Sequence, residues 1–351
     1  MALSKKTFPK AAAAAALDPL QNFETVTYTG GGASAKSITS LDFQPDFVWI
    51  KSRTSALSHV IHDVQNQPHL LIPNGTNALI TNGSNTVTFT SNGFDLQGGA
   101  SHTSVNGSAD FVAWCWKAGG AAVSNTDGSI TSTVSANQDA GFSIVKYTGN
   151  GGSATLGHGL NQQVEMVITK STESTSQWMI YHKDLTGNTS GDNPYNLYFS
   201  TDGELDLTSF GSYDSFTSSV FPVTRQSAAT AHNNNSNIDY IAYCFHSVDG
   251  YQKVGSYTGN SSANPVTTGF QPRFVMVKRT NAAGNWEIWD SLRNPSADNS
   301  NNDTLFANSS AAEADAGTGR YMSFDTNGFT INGDSGNSNA SASTYIYLAI
   351  A

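Results

Sequence analysis

The chain has 351 residues with a formal net charge of −10 and only 13% charged residues, their place taken by Ser, Thr, Asn and Gly. The negative balance repels phosphate backbones and leaves no electrostatic footprint for nucleic acid. No apolar run reaches the ~18 residues of a membrane-spanning helix, and an aromatic content of 11% supplies a core that a disordered chain lacks.

Residues 1–21 read as an arm. Lys5, Lys6 and Lys10 form the only basic cluster and mark it as a docking segment. Pro9 opens a short helical stretch through Ala11–Ala16, and Asp18-Pro19 closes it. A helix this short is marginal alone, so the arm needs a partner to be ordered. An alanine run is a poor apolar core for a secretion signal.

From Phe23 onward a pattern repeats three times. Phe47-Val48-Trp49-Ile50-Lys51 returns as Met166-Val167-Ile168-Thr169-Lys170 and as Phe274-Val275-Met276-Val277-Lys278. Each copy follows a Tyr-Thr-Gly triplet, at Tyr28, Tyr147 and Tyr257, with tyrosine-to-lysine spacings of 23, 23 and 21. Such a period is the first thing to establish, because it dictates the fold. It predicts an arm over 1–21, β-sandwich 1 over 22–120, a linker and β-sandwich 2 over 121–248, and β-sandwich 3 over 249–351.

Each copy closes on one apolar strand, Phe111–Lys117, Tyr240–His246 and Tyr345–Ala351. Alternation puts Val112, Trp114 and Trp116 on one face, matched by Ile241, Tyr243 and Phe245 and by Ile346, Leu348 and Ile350. That face is expected to be each copy's own core. The small residues opposite, Ala113 with Cys115 and Ala242 with Cys244, predict close packing by a second element and a central strand. Both cysteines read as small buried hydrophobes. The linker 118–141 is expected to carry a hairpin around Ser129–Ser135. Only 247–250 separates the last two copies, which should therefore abut. Tyr195–Phe199 and Ser209–Arg225 fit the template poorly. No helical periodicity follows residue 20, so the fold class is all-β, with three tandem sandwiches.

Candidate chemistry is sparse. Gly30–Ser37 imitates a phosphate loop, but Ala35 stands where the motif needs glycine and no helical pattern follows. His59, His62, Asp63 and His69 have metal-ligand character, yet the other copies place Trp or Tyr there. Asp298, Ser300, Asn302 and Asp303 have loose calcium-loop spacing without its glycine or distal glutamate. Lys51 with Asp63, Lys170 with Asp184 and Lys278 with Asp290, spaced 12, 14 and 12 apart, read as salt bridges pinning neighbouring strands. Trp178, Trp286 and Trp289 read as core, with a sugar-stacking platform as the alternative. No acidic pair recurs to nominate a glycoside hydrolase, and neither a catalytic residue nor a cofactor or metal is expected.

Phe47–Arg53, Ala113–Gly120, Ser124–Ile130 and Gly141–Gly149 together resemble the repeated β domain of virion structural proteins of tailed bacteriophages, especially marine ones. The resemblance covers about 22–351 and departs at Gln163-Val164, where a proline is expected. It implies a concanavalin-like jelly-roll sandwich, a place in the virion, and a tail-fibre or tail-associated role. On that reading the arm docks on other virion proteins and the sandwiches project as an appendage, expected as a homotrimer. Capsid-surface decoration and a carbohydrate-binding module contacting a host glycan are the alternatives.

Overall fold

The computed structural model describes residues 17–185, 196–199, 203, 210–225, 232–293, 303–315, 321–333 and 336–351. Lys5, Lys6 and Lys10 lie outside them, as do Tyr195, Ser209 and residues 298–302. Within them the chain is all-β, apart from a four-residue helical turn at Thr103–Asn106 and three short 3-10 turns.

Each repeat builds a sheet of four antiparallel strands in one order: opening, closing, lysine and return strand. In repeat 1 these are Phe23–Thr29, Asp110–Trp116, Phe47–Ser52 and Val60–Asp63. In repeat 2 they are Phe142–Thr148, Asp239–Phe245, Met166–Ser171 and Met179–His182. In repeat 3 they are Gln252–Thr258, Thr344–Ile350, Phe274–Arg279 and Glu287–Asp290. The closing strand is thus central in every copy, as its two buried faces predict. Leu197–Tyr198 and Asp303–Phe306 extend the sheets of repeats 2 and 3 beyond the return strand. The linker hairpin forms from Val123–Asn125 and Ser132–Asn137 and adds to the other edge of the repeat 2 sheet.

A smaller second sheet covers each main sheet. It comprises Lys36–Ile38, Gly93–Leu96 and Val87–Thr90 in repeat 1, Ser153–Gly157 with Val220–Thr224 in repeat 2, and Asn264–Thr267, Gly328–Asn332 and Tyr321–Asp325 in repeat 3. In repeats 1 and 2 it packs over the small-residue face: Ala113 and Cys115 lie in one sandwich interior, Ala242 and Cys244 in the next.

The Tyr-Thr-Gly triplets sit at the end of each opening strand. Tyr28, Tyr147 and Tyr257 donate their hydroxyls to the carbonyls of Val105, Asn233 and Ser338, at 2.7, 2.6 and 2.6 Å. Their rings stack on Phe111, Tyr240 and Tyr345, with centroids 5.3, 5.2 and 5.1 Å apart. The glycine is required for space. A Cβ on Gly30, Gly149 or Gly259 would stand 2.0, 2.3 or 2.3 Å from the carbonyl oxygen of Gly107, Asn235 or Ala340. Tyrosine bond and glycine approach clamp the loop before the closing strand onto the end of the opening strand.

The large-residue face does not serve each copy alone. Phe47, Trp49, Trp114 and Trp116 of repeat 1 join Ile168, Tyr243 and Phe245 of repeat 2 and Phe274, Met276 and Leu348 of repeat 3 in one continuous core. Phe47 packs edge-on against Phe142 and Tyr243, at 6.0 and 4.8 Å. Phe274 does the same with Phe23 and Trp116, at 5.6 and 5.7 Å. The expectation of a separately buried interior for each copy is corrected here: rings of this size on an outer sheet face leave water only when other sheets cover them. A small apolar cavity of about 20 Å³ remains where Trp49, Ile168 and Met276 meet.

Candidate functional site

The tryptophans nominated for sugar stacking are interior. Trp178, Trp286 and Trp289 are 0%, 1% and 3% exposed, so the platform reading is overturned and core packing stands. An indole N–H carried into an apolar seam needs an acceptor, and for Trp178 and Trp286 the neighbouring repeat supplies it. Trp178 Nε1 donates to the carbonyl of Ile72 at 3.0 Å, and Trp286 Nε1 to that of Tyr198 at 2.9 Å. At the same position of repeat 1, His59 Nε2 donates to the carbonyl of Phe306 at 3.0 Å. The acceptors are themselves equivalent, each following a leucine (Leu71, Leu197, Leu305) that pairs with the return-strand isoleucine. Repeat 2 thus holds repeat 1, repeat 1 holds repeat 3, and repeat 3 holds repeat 2.

The lysine–aspartate bridges do not form as expected. In the antiparallel hairpin Phe47 faces Asp63 and Ile50 faces Val60, so Lys51 and Asp63 stand at opposite ends, and the same register separates Lys278 from Asp290. The lysines close the loop that follows their own strand. Lys51 Nζ donates to the carbonyls of Ser52 and Ser55 at 2.6 and 3.4 Å. Lys170 Nζ donates to those of Ser171 and Ser174 and to Ser176 Oγ, at 2.8, 3.2 and 3.1 Å. Lys278 Nζ donates to the carbonyl of Arg279 at 2.6 Å. Burial pushes the Lys51 ammonium down to about 8, partly offset by Glu313, and that of Lys170 down to about 7.

Asp184 does not belong to the series. The residue facing Met166, as Asp63 faces Phe47, is His182, while Asp184 pairs with its neighbour Lys183 at 3.2 Å. Asp63, His182 and Asp290 then form a second ring. Tyr243 donates its hydroxyl to Asp63 Oδ2 at 2.8 Å, Trp114 Nε1 donates to Asp290 Oδ2 at 3.0 Å, and His182 Nε2 donates to the carbonyl of Tyr347 at 3.4 Å. Each contact reaches the middle of another repeat's closing strand.

The residue three places on differs among the members of this ring, and with it the local partner each one has. Asn66 donates to Asp63 Oδ2 at 2.9 Å; in repeat 2 the place is held by apolar Leu185; in repeat 3 Arg293 Nε meets Asp290 Oδ2 at 2.5 Å. Arg293 is fully buried, its guanidinium 5.6 Å from the Trp114 ring centroid, and it also holds Glu313 Oε1. Glu313 reaches Arg53 of repeat 1 at 2.7 Å. This Arg53–Glu313–Arg293–Asp290 network was not legible in the sequence, because only repeat 3 carries Arg293 and the Arg53–Glu313 link spans 260 positions.

Four histidines are built in as neutral rings. His59 Nδ1 accepts from Trp49 Nε1 at 2.9 Å while its Nε2 donates, and His158 and His182 likewise accept at Nδ1 from the backbone N–H groups of Leu160 and Asp184, both at 3.1 Å. His62 Nε2 donates to the carbonyl of Asn85 at 2.9 Å. Burial pushes the pKa down to about 3 for His59 and about 4 for His62, His158 and His182. A folded-state value below the unfolded one means that between pH 6.5 and 4 the unfolded chain takes up protons the folded chain refuses. Stability is therefore expected to fall with pH through this window, by on the order of 2 to 3 kcal/mol per histidine. Asp63, raised by burial, acts in the opposite sense. Urea titrations at stepped pH check this; a flat profile from pH 6.5 to 4 would contradict it.

Both ring nitrogens of His59 are engaged, so it offers no lone pair to a metal, and the described residues contain no group of His, Cys, Asp and Glu that could hold one. Asp298, Ser300 and Asn302 lie outside the described residues, while Asp303 faces Arg53 at 3.7 Å. Gly30–Ser37 forms a turn that runs into the strand Lys36–Ile38. Two grooves open at the end of the body where the opening strands begin. One, of about 460 Å³, is bordered by Leu17, Asn22, Lys117 and Asp139; another, of about 390 Å³, by Pro19, Gln271, Arg273 and Ala351.

No curated protein and no solved structure matches the chain. A family model described as a domain of unknown function, DUF7483, matches residues 18–351, running through all three repeats and their shared core without a break. The chain belongs to the DUF7483 family.

Proposed function

We propose that this chain is a structural component of a tailed-phage virion, a surface protein that acts as a rigid block. The observation that carries the reading is the double ring of contacts between repeats. The polar side chains most suited to binding or chemistry, Trp178, Trp286, His59, Asp63, His182 and Asp290, are spent on holding the three sheets together. Such a body transmits load and resists shape change, because every sheet is buttressed by the other two. The resemblance of Phe47–Arg53 and Ala113–Gly120 to phage virion repeats supports the same reading. A tail-associated position anchored through residues 1–21 is the leading placement. Capsid-surface decoration is the second, favoured by three sheets gathered round one core instead of strung in a row. Affinity-labelled chain in purified particles, located by electron microscopy, tests both. Label on the tail or on the capsid faces is expected; particles free of the chain would overturn the reading.

A further inference from the structure

The two rings close round the molecule in opposite senses, and each pairs the same positions of consecutive repeats, so the body has three-fold pseudo-symmetry within a single chain. We propose that the end bearing the opening-strand starts docks coaxially on a three-fold-symmetric partner, with one copy of this chain per axis. The inference rests on the virion reading, the partner being a protein of the particle that presents three copies of one polar surface.

The loops at that end carry the argument. The backbone N–H groups of Asp46, Glu165 and Arg273 donate to the carbonyls of Trp116, Phe245 and Ile350, at 2.9, 2.7 and 2.7 Å, which makes these three positions equivalent. Two residues before them stand Gln44, Gln163 and Gln271, all exposed, flanking the buried Pro45, Val164 and Pro272. This outward position keeps glutamine in all three repeats. The fold has little use for it there. Gln271 donates to the carbonyl of Phe324 at 2.9 Å, whereas Gln44 and Gln163 make no hydrogen bond among the described residues.

A partner with one acceptor or donor group per subunit would meet all three amides at once only if its own axis coincided with this pseudo-axis. Coaxial docking then multiplies one weak contact by three within a single encounter. The grooves beside Leu17 and Pro19 open on the same end and leave room for the partner's surface between the loops.

The test uses particles assembled with variant chain supplied in trans. The triple variant Q44A/Q163A/Q271A is expected to keep the wild-type melting temperature and to lose at least tenfold in copies per particle. A56Q/T175Q/A283Q, which alters three equivalent exposed positions in the loops after the lysine strands, is expected to leave the copy number unchanged. Wild-type copy number in the first variant overturns the proposal. In reconstructions of the particle the pseudo-axis is expected to lie on a three-fold axis. Density for the chain away from such axes overturns the docking mode while leaving the virion reading intact; absence of the chain removes both.

Discussion

Alanine in place of Trp286 is expected to lower the unfolding free energy by about 3 to 5 kcal/mol, the cost of emptying a large aromatic site in a packed core. The ring is 1% exposed and packs edge-on against Phe199 of repeat 2, with centroids 4.9 Å apart. Two further consequences separate this from an ordinary cavity. The carbonyl of Tyr198 loses its donor, so Trp286→Phe, which keeps most of the ring volume, should still cost about 1 to 3 kcal/mol. Because the core is shared, the loss should shift one cooperative transition and not release repeat 3 alone. Urea unfolding followed by far-ultraviolet circular dichroism measures both. A change under 1 kcal/mol, or an early partial transition confined to one third of the signal, would contradict the common core.

Removing the Asp290 carboxylate should be as damaging. Asp290→Ala is expected to cost about 3 to 5 kcal/mol, because it strands a buried arginine that desolvation makes expensive to leave unpaired. Among the described residues Arg293 keeps only Glu313 as a charged partner, and Trp114 Nε1 loses its acceptor. The double variant Asp290→Ala with Arg293→Met should recover a large part of the loss, since an apolar replacement removes the stranded charge. A cycle between Asp290 and Lys278 should give no coupling, as the hairpin register holds them apart. Coupling there with none between Asp290 and Arg293 would reverse the assignment of the pair.

The buried lysines make a related point about charge in this fold. Lys51 and Lys170 reach backbone carbonyls, which are fixed dipoles already present in the loop, and need no acidic partner. A repeated charge pair in sequence is therefore a poor guide to a bridge when strand register has not been considered. The spacing of 14 in repeat 2 carried the clue, because twelve residues after Lys170 stands His182 and not Asp184.

Periodicity alone determined the all-β class, the threefold repetition, the central closing strand and the linker hairpin, since strand alternation and turn chemistry are local and survive in a single chain. The Tyr-Thr-Gly triplets marked equivalent places, although the reason for their glycine lay in a carbonyl some 80 residues away. What only the tertiary structure decided was where the large faces go. Trp114, Tyr243 and Leu348 read as three private cores, and nothing in their spacing distinguishes a sheet that covers itself from one covered by its neighbours. That choice, and with it the burial of the candidate tryptophans, the Arg293 network and the three-fold arrangement, depends on contacts between repeats, 88 to 260 positions apart, which no local pattern encodes.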